Sequence, residues 1–195
     1  MEAQTLSERL GARRGSIKER VAKAAAVTPS DRPFVWWCNL NAEAEALCAA
    51  IPDAVEVRGS DSEREKERKL AEFAAGKIRV LVTKPSICGW GLNWQHCADT
   101  GFVGLSDSFE QVYQAIRRFW RFGQTKQVTA HFIAAETEGA VVANIRRKEH
   151  QADHMVSSMI DHMRDLNSAA IAGTTRDKAT YFPTTKMGMP QWIAA

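Results

Sequence analysis

Gln114, Arg118 and Arg121 are the residues of this sequence whose types and spacing most directly suggest chemistry. They are separated by four and three positions, so on a helix they share one face. Val112, Ile116 and Phe119 repeat that spacing two residues out of phase. Two residues is roughly 200° of rotation at about 3.6 residues per turn, so this apolar stripe lies nearly opposite. Ser108, three before Gln111, is a capping signal, and Gly123 is the expected stop. The pattern therefore predicts one helix that buries one side and aims two guanidinium groups from the other. A guanidinium is planar, permanently charged and suited to gripping carboxylate or phosphate oxygens in pairs. Periodicity alone favours a solvated basic face; the surrounding sequence turns the reading towards a bound anion.

The elements that must position this helix follow from the apolar runs. Phe34–Cys38, Ala54–Val57, Ile78–Val82, Gly101–Leu105 and Val128–Ala134 read as five strands. The first is a continuous apolar run, as expected of a buried parallel strand. Between them lie a helix opening after Asn41 and ending near Ile51–Pro52, and a charged helix opened by Gly59–Ser60. The charged helix carries a Ser60/Glu63 capping box and ends at Gly76. An N-terminal helix spans about Ser16 to Ala26, with its own Ser16/Glu19 box, and Thr28–Pro33 breaks it. Strands alternating with helices predict an α/β fold: a doubly wound, mostly parallel sheet with helices on both faces. Ligands of such sheets sit beyond the carboxyl ends of the strands. The loop after Val82 and the start of the arginine helix after Leu105 both fall at that edge. A long helix then runs from the N-cap Thr137 to about Leu166, with Val141, Val142, Ile145, Met155, Val156, Met159, Ile160 and Met163 as its apolar face. The tail from Asn167 reads as irregular.

The loop Thr83–Trp94 is the second chemical signal. Gly89 and Gly91 let backbone approach a ligand closely. A dinucleotide fingerprint fails here, because its third glycine would fall at Trp94.

The stretch Gln114-Ala115-x-x-Arg118-x-x-Arg121-x-Gly123-Gln124 resembles motif VI of superfamily-two helicases, in the form used by Swi/Snf-type DNA translocases. The Gly89–Asn93 loop resembles motif V, with Cys88 in place of the first glycine and one extra residue before it. Phe34–Cys38 stands where motif IV belongs, and Gly59-Ser60, Arg64, Arg68 and Phe73 resemble a further family segment. Asp107 stands at the acidic position before motif VI, whereas Arg117 and Trp120 replace the more usual Asp and His. The resemblance covers about residues 34–135. It implies a RecA-like C-terminal lobe in which Arg118 and Arg121 reach the ATP γ-phosphate. By the same resemblance Gln114, Gly91 and Asn93 lie near the nucleotide, and Thr83 and Lys84 face the DNA backbone. Trp120 is expected in the core. The implied organisation is residues 1–33 as a helical extension, 34–137 as the lobe, 138–166 as the long helix and 167–195 as the tail.

No Gly-x-x-x-x-Gly-Lys-Ser/Thr loop exists, since Gly76–Lys77 is followed by Ile78, and no Asp–Glu box follows a strand. Without a phosphate cradle or Mg²⁺ ligands the chain is expected to need a first lobe, in cis or in trans, that shares ATP and Mg²⁺ with it. DNA is the expected nucleic acid, with RNA left open. One rival reading is a catalytically inactive nucleic-acid- or protein-binding module derived from the lobe. Another is an unrelated doubly wound ligand-binding domain. His150 and His154 have a spacing that can hold zinc, but Gln151 stands where a metalloprotease motif has its glutamate, so they read as a solvated face. A net charge of +3 over 195 residues permits nucleic-acid binding without arguing for it. Four cysteines without a Cys-x-x-Cys pair, no signal-peptide core and no membrane-length apolar run predict an intracellular, cytoplasmic chain, in the host cytoplasm if phage-encoded.

Overall fold

Strands whose two faces are both apolar must be covered on both sides, and the architecture follows from that requirement. In the computed structural model, residue 11 and residues 13–88, 93–104, 108–135 and 138–173 are described. Their order is α1 (Ile17–Val27), β1 (Phe34–Cys38), α2 (Asn41–Ala50), β2 (Ala54–Glu56), α3 (Glu63–Ala74), β3 (Val80–Thr83), β4 (Asp99–Val103), α4 (Phe109–Ile116), β5 (Thr129–Ile133) and α5 (Gly139–Gly173). The strands form one sheet in the order β2-β3-β1-β4-β5, and every neighbouring pair is parallel. The predicted α/β sheet is therefore present, wholly parallel among the described residues.

Alternate residues of β1 feed opposite faces. Phe34, Trp36 and Cys38 pack with Val21 and Ala24 of α1 and with Ala44 and Leu47 of α2. Val35 and Trp37 pack with Phe73 of α3, with Val112 and Ala115 of α4, and with Val141 and Ile145 of α5. Two buried indoles are anchored by threonines rather than by apolar contact alone. Trp37 Nε1 donates to Thr100 Oγ1 at 2.9 Å, and that hydroxyl donates to Val35 O. Trp36 Nε1 donates to Thr28 Oγ1, at the end of α1, also at 2.9 Å.

Trp36 also dictates its partner across the ladder, Gly101. A Cβ on Gly101 would lie 2.2 Å from the Trp36 ring. Because Trp36 is fully buried it cannot swing aside. Gly101→Ala should therefore lower stability by about 1–3 kcal/mol or more through overpacking, read as a fall in the urea midpoint at unchanged slope. An unchanged midpoint would mean that the ring has room to move.

Several boundaries differ from the sequence expectation. β4 begins two residues earlier than expected, at Asp99, because Thr100 is buried by its hydrogen bonds despite its polarity. The N-cap of α3 is Ser62, whose hydroxyl accepts from Glu65 N at 3.2 Å, not Ser60. Ser16 precedes α1 without capping it, and its hydroxyl instead accepts from Arg20 Nε at 3.0 Å. α5 runs on to Gly173, seven residues past the expected Leu166, through an alanine-rich stretch that favours helix. The expected N-cap Thr137 and most of the tail lie outside the described residues.

The chain divides into two units, Met1–Ala152 and Asp153–Ala195. In the first, Val141 and Ile145 of α5 are buried. In the second, Met155, Val156, Met159, Ile160 and Met163 are 52–60% exposed. The apolar face expected of the whole helix is thus buried only over its first turns. No described helix is long and apolar enough to cross a membrane.

Candidate functional site

The arginine stretch does not form one helix. Ser108 caps α4 as expected, accepting from Gln111 N at 3.3 Å. The helix nevertheless ends at Ile116. Beyond it the ladder shortens: Arg118 N bonds Ala115 O, Phe119 N bonds Ile116 O, and Arg121 N bonds Phe119 O. Gly123, with φ of +94°, closes the turn rather than the helix. The tertiary cause is the loop after β3, which crosses this face: Trp94 N donates to Arg118 O at 3.2 Å. Gln124 Nε2 then reaches Gln95 O, Cys97 O and Phe119 O. The two signals are brought together by these contacts of Trp94 and Gln95 with the arginine turn.

As a result Gln114, Arg118 and Arg121 do not share one exposed face. Gln114 and Arg121 are exposed, whereas Arg118 is only 8% exposed. Its guanidinium lies over the rings of Trp37 and Trp94, 5.4 and 5.9 Å from their centroids. Among the described residues no group pairs with its Nη1, and no carboxylate forms an ion pair with Arg118 or Arg121. Burial holds the Arg118 guanidinium below the usual arginine range; Cys88 opposes that shift and the charge of Arg121 adds to it. Arginine stays protonated under such a shift. Two contacts with aromatic faces repay part of the desolvation, and one donor stays unsatisfied. A buried cation with a spare donor has the chemistry of an anion site waiting for its acceptor.

Of the other expected site residues, Asn93 is exposed, and Gly91 lies outside the described residues, as do Gly89 and Asp107. Thr83 is 1% exposed, and its hydroxyl is turned inward to Val57 O and Cys88 Sγ, away from any external strand. Lys84 is partly exposed and donates to Asn41 Oδ1 at 2.6 Å. Burial raises the Cys88 thiol pKa, so its sulfur stays protonated beside Thr83. Trp120, expected in the core, is 61% exposed with the Arg117 guanidinium 5.6 Å from its ring centroid. The indole is too large to enter a turn whose inward position Phe119 already fills. All four cysteines are free thiols. Among the described residues no group of three or more His, Cys, Asp or Glu is placed to hold a metal ion.

Sequence reasoning missed a second cluster. Arg20 and Glu43, 2% and 0% exposed, pair at 2.7 Å between Nη1 and Oε1. Glu43 Oε2 accepts from Asn39 N and Leu40 N, just past the end of β1. Glu138 accepts from Arg13 Nε at 2.9 Å and from Ala135 N, just past β5. Both arginines come from the N-terminal segment. A signal was present: Arg20 and Glu43 each fall within the apolar stripe of their helix, where an unpaired charge would not be tolerated.

No protein-family model matches the sequence, and no curated protein sequence matches it. Solved structures do match. The C-terminal domain of the DEAD-box protein Dbp5 superposes with a TM-score of 0.58 at 14% identity, over 67% of this chain and 78% of that one. The RNA helicase Prp28 from Chaetomium thermophilum, bound to ADP, matches with a TM-score of 0.59 at 17% identity, over 70% of this chain. The C-terminal part of the Fun30 ATPase domain gives 0.50 at 16% identity, over 66%. The fold is RecA-like. At these identities the likeness is one of fold. This RecA-like chain spans 41% of the Fun30 structure and 35% of the Prp28 structure.

Proposed function

We propose that the chain is the second lobe of an ATP-dependent helicase or DNA translocase of Swi/Snf type. Its part is to supply two arginines to a nucleotide held by a first lobe. The observation that carries this reading is the buried Arg118 guanidinium with an unpartnered Nη1, adjacent in the turn to the exposed Arg121. In the closed enzyme Arg118 and Arg121 contact the γ-phosphoryl oxygens and stabilise charge that develops there, as arginine fingers do. Gln114 and Asn93, both exposed, lie near the nucleotide. Lys84 contacts a nucleic-acid phosphate, while Thr83 holds the loop through its inward hydroxyl. DNA is the favoured nucleic acid. Hydrolysis separates the lobes and advances the chain along one strand.

The first lobe also carries the phosphate cradle that this sequence lacks, so the purified chain should release no phosphate from Mg·ATP, with or without DNA. A phosphate-release assay checks this, and turnover that co-purifies with the chain through successive columns would overturn the division of labour.

A further inference from the structure

The ion network of Arg13, Arg20, Glu43 and Glu138 raises a question that the fingers do not answer. Four buried charges hold the N-terminal segment across the ends of β1 and β5, although apolar side chains of similar size would anchor a helix as well. Charged anchors fix register, and the register here sets Arg14. Arg14 is exposed, directly follows Arg13 in the chain, and has no carboxylate partner among the described residues. It lines a hollow of about 530 Å³ with Asn39, Asn41 and Lys84. Asn41 and Lys84 also line a second hollow, of about 330 Å³, walled by Arg58, Ser60 and Ser86. The two hollows share those residues and form one groove along the carboxyl ends of β1, β2 and β3.

The charge in this groove is not balanced. Arg58 is paired with Glu56 at 2.8 Å and with Glu45 at 4.0 Å. Among the described residues Lys84 reaches only the neutral Asn41 amide, and Arg14 reaches no carboxylate. The cations Arg14, Lys84 and Arg58 outweigh the carboxylates Glu45 and Glu56 by one charge, in a lining that mixes hydroxyls and amides with the aliphatic Ile17, Leu40 and Ile87 and holds no aromatic side chain. That composition suits phosphate and sugar rather than bases. We infer that Arg14 and Lys84 form a two-point clamp on the phosphate backbone of a nucleic acid strand, with the ion network as the device that positions Arg14. The inference rests on the nucleic-acid reading above and adds the N-terminal segment to the track.

Fluorescence anisotropy of the full chain with a labelled thymidine oligonucleotide, from 50 to 200 mM salt, tests it. Arg14→Ala should weaken binding about three- to tenfold at the lowest salt and flatten the log–log salt dependence by about 0.7, the value of one lost phosphate contact on a single strand. Arg14→Lys should restore most of the slope. Arg147→Ala, at an exposed arginine of α5 that hydrogen-bonds to Asn144 and Gln151, controls for net charge and should leave the slope unchanged. Glu138→Gln, compared at a salt and temperature where far-UV circular dichroism shows it folded, should flatten the slope as Arg14→Ala does. If Lys84→Ala flattens the slope and Arg14→Ala does not, the inference falls and the track reading stands. If neither changes it, both fall. Equal losses in Arg14→Ala and Arg147→Ala would reduce the effect to net charge. Polyglutamate of equal charge competing as well as the oligonucleotide would reassign the groove to an acidic protein.

Discussion

Joined to a nucleotide-holding first lobe, Arg121→Ala should lower the ATP turnover number by about 10³–10⁵-fold, the range for an arginine finger, with little change in nucleotide affinity. Arg118→Met should lower turnover over a comparable range, but its effect on folding separates the two residues. Methionine keeps contact with Trp37 and Trp94 while removing a cation that is 8% exposed and has an unpaired Nη1. An unsatisfied buried donor costs about 1–3 kcal/mol, contacts with two aromatic faces return about 0.5–2 kcal/mol each, and burying the cation itself costs several kcal/mol more. The free chain should therefore be as stable as the wild type in Arg118→Met, or more stable. Stability held or gained while turnover is lost is the signature of a group placed for function. A loss above about 1 kcal/mol in urea unfolding would instead make the tryptophan contacts its purpose. Wild-type turnover in the Arg121 variant would remove the finger assignment.

The parallel sheet could be read because a strand buried on both faces leaves a continuous apolar run. β1 was bounded to the residue, and β4 slipped only where Thr100 is buried by hydrogen bonds that hydropathy does not register. The end of α4 could not be read. Arg117, Phe119 and Trp120 are ordinary helix residues, and the nearest glycine is Gly123. Past Ile116 the Arg118 carbonyl is taken up by a long-range bond from Trp94 N, from a loop that no local pattern describes, and in that turn Arg118 is buried while Trp120 is exposed. Motif spacing thus located the arginines in sequence without giving their separate environments. The network around Glu43 failed to register for the opposite reason. Its charges were visible, but pairing across separations of 23 and 125 residues has no periodicity.

That network also yields a large expected loss of stability. Glu43→Gln removes the nearer of the two carboxylates paired with Arg20, leaving Glu138 Oε2 at 3.9 Å, and turns an amide towards the guanidinium. Arg20 cannot reach water in compensation, because it is 2% exposed. Breaking one side of a buried ion pair costs about 3–5 kcal/mol, a large share of the roughly 5–15 kcal/mol that stabilises a typical domain. The neighbouring backbone leaves little scope for relaxation. A Cβ on Gly104 would lie 2.6 Å from Glu43 Oε1 and 2.8 Å from Arg20 Nη1, and Gly104 has a φ of +78°. The second substitution separates charge from packing. Arg20→Met with Glu43→Gln removes the stranded cation and leaves a neutral amide whose oxygen can still accept from Asn39 N and Leu40 N. The double variant should recover more than half of the loss, because most of the single-variant cost is the unpaired charge. Urea unfolding of the wild type, of both single variants, Glu43→Gln and Arg20→Met, and of the double variant decides the matter. Additive losses would mean that Arg20 and Glu43 act independently. A single-variant loss below about 1 kcal/mol would mean that water enters the pair, and the N-terminal segment would then lack the fixed register on which the position of Arg14 depends.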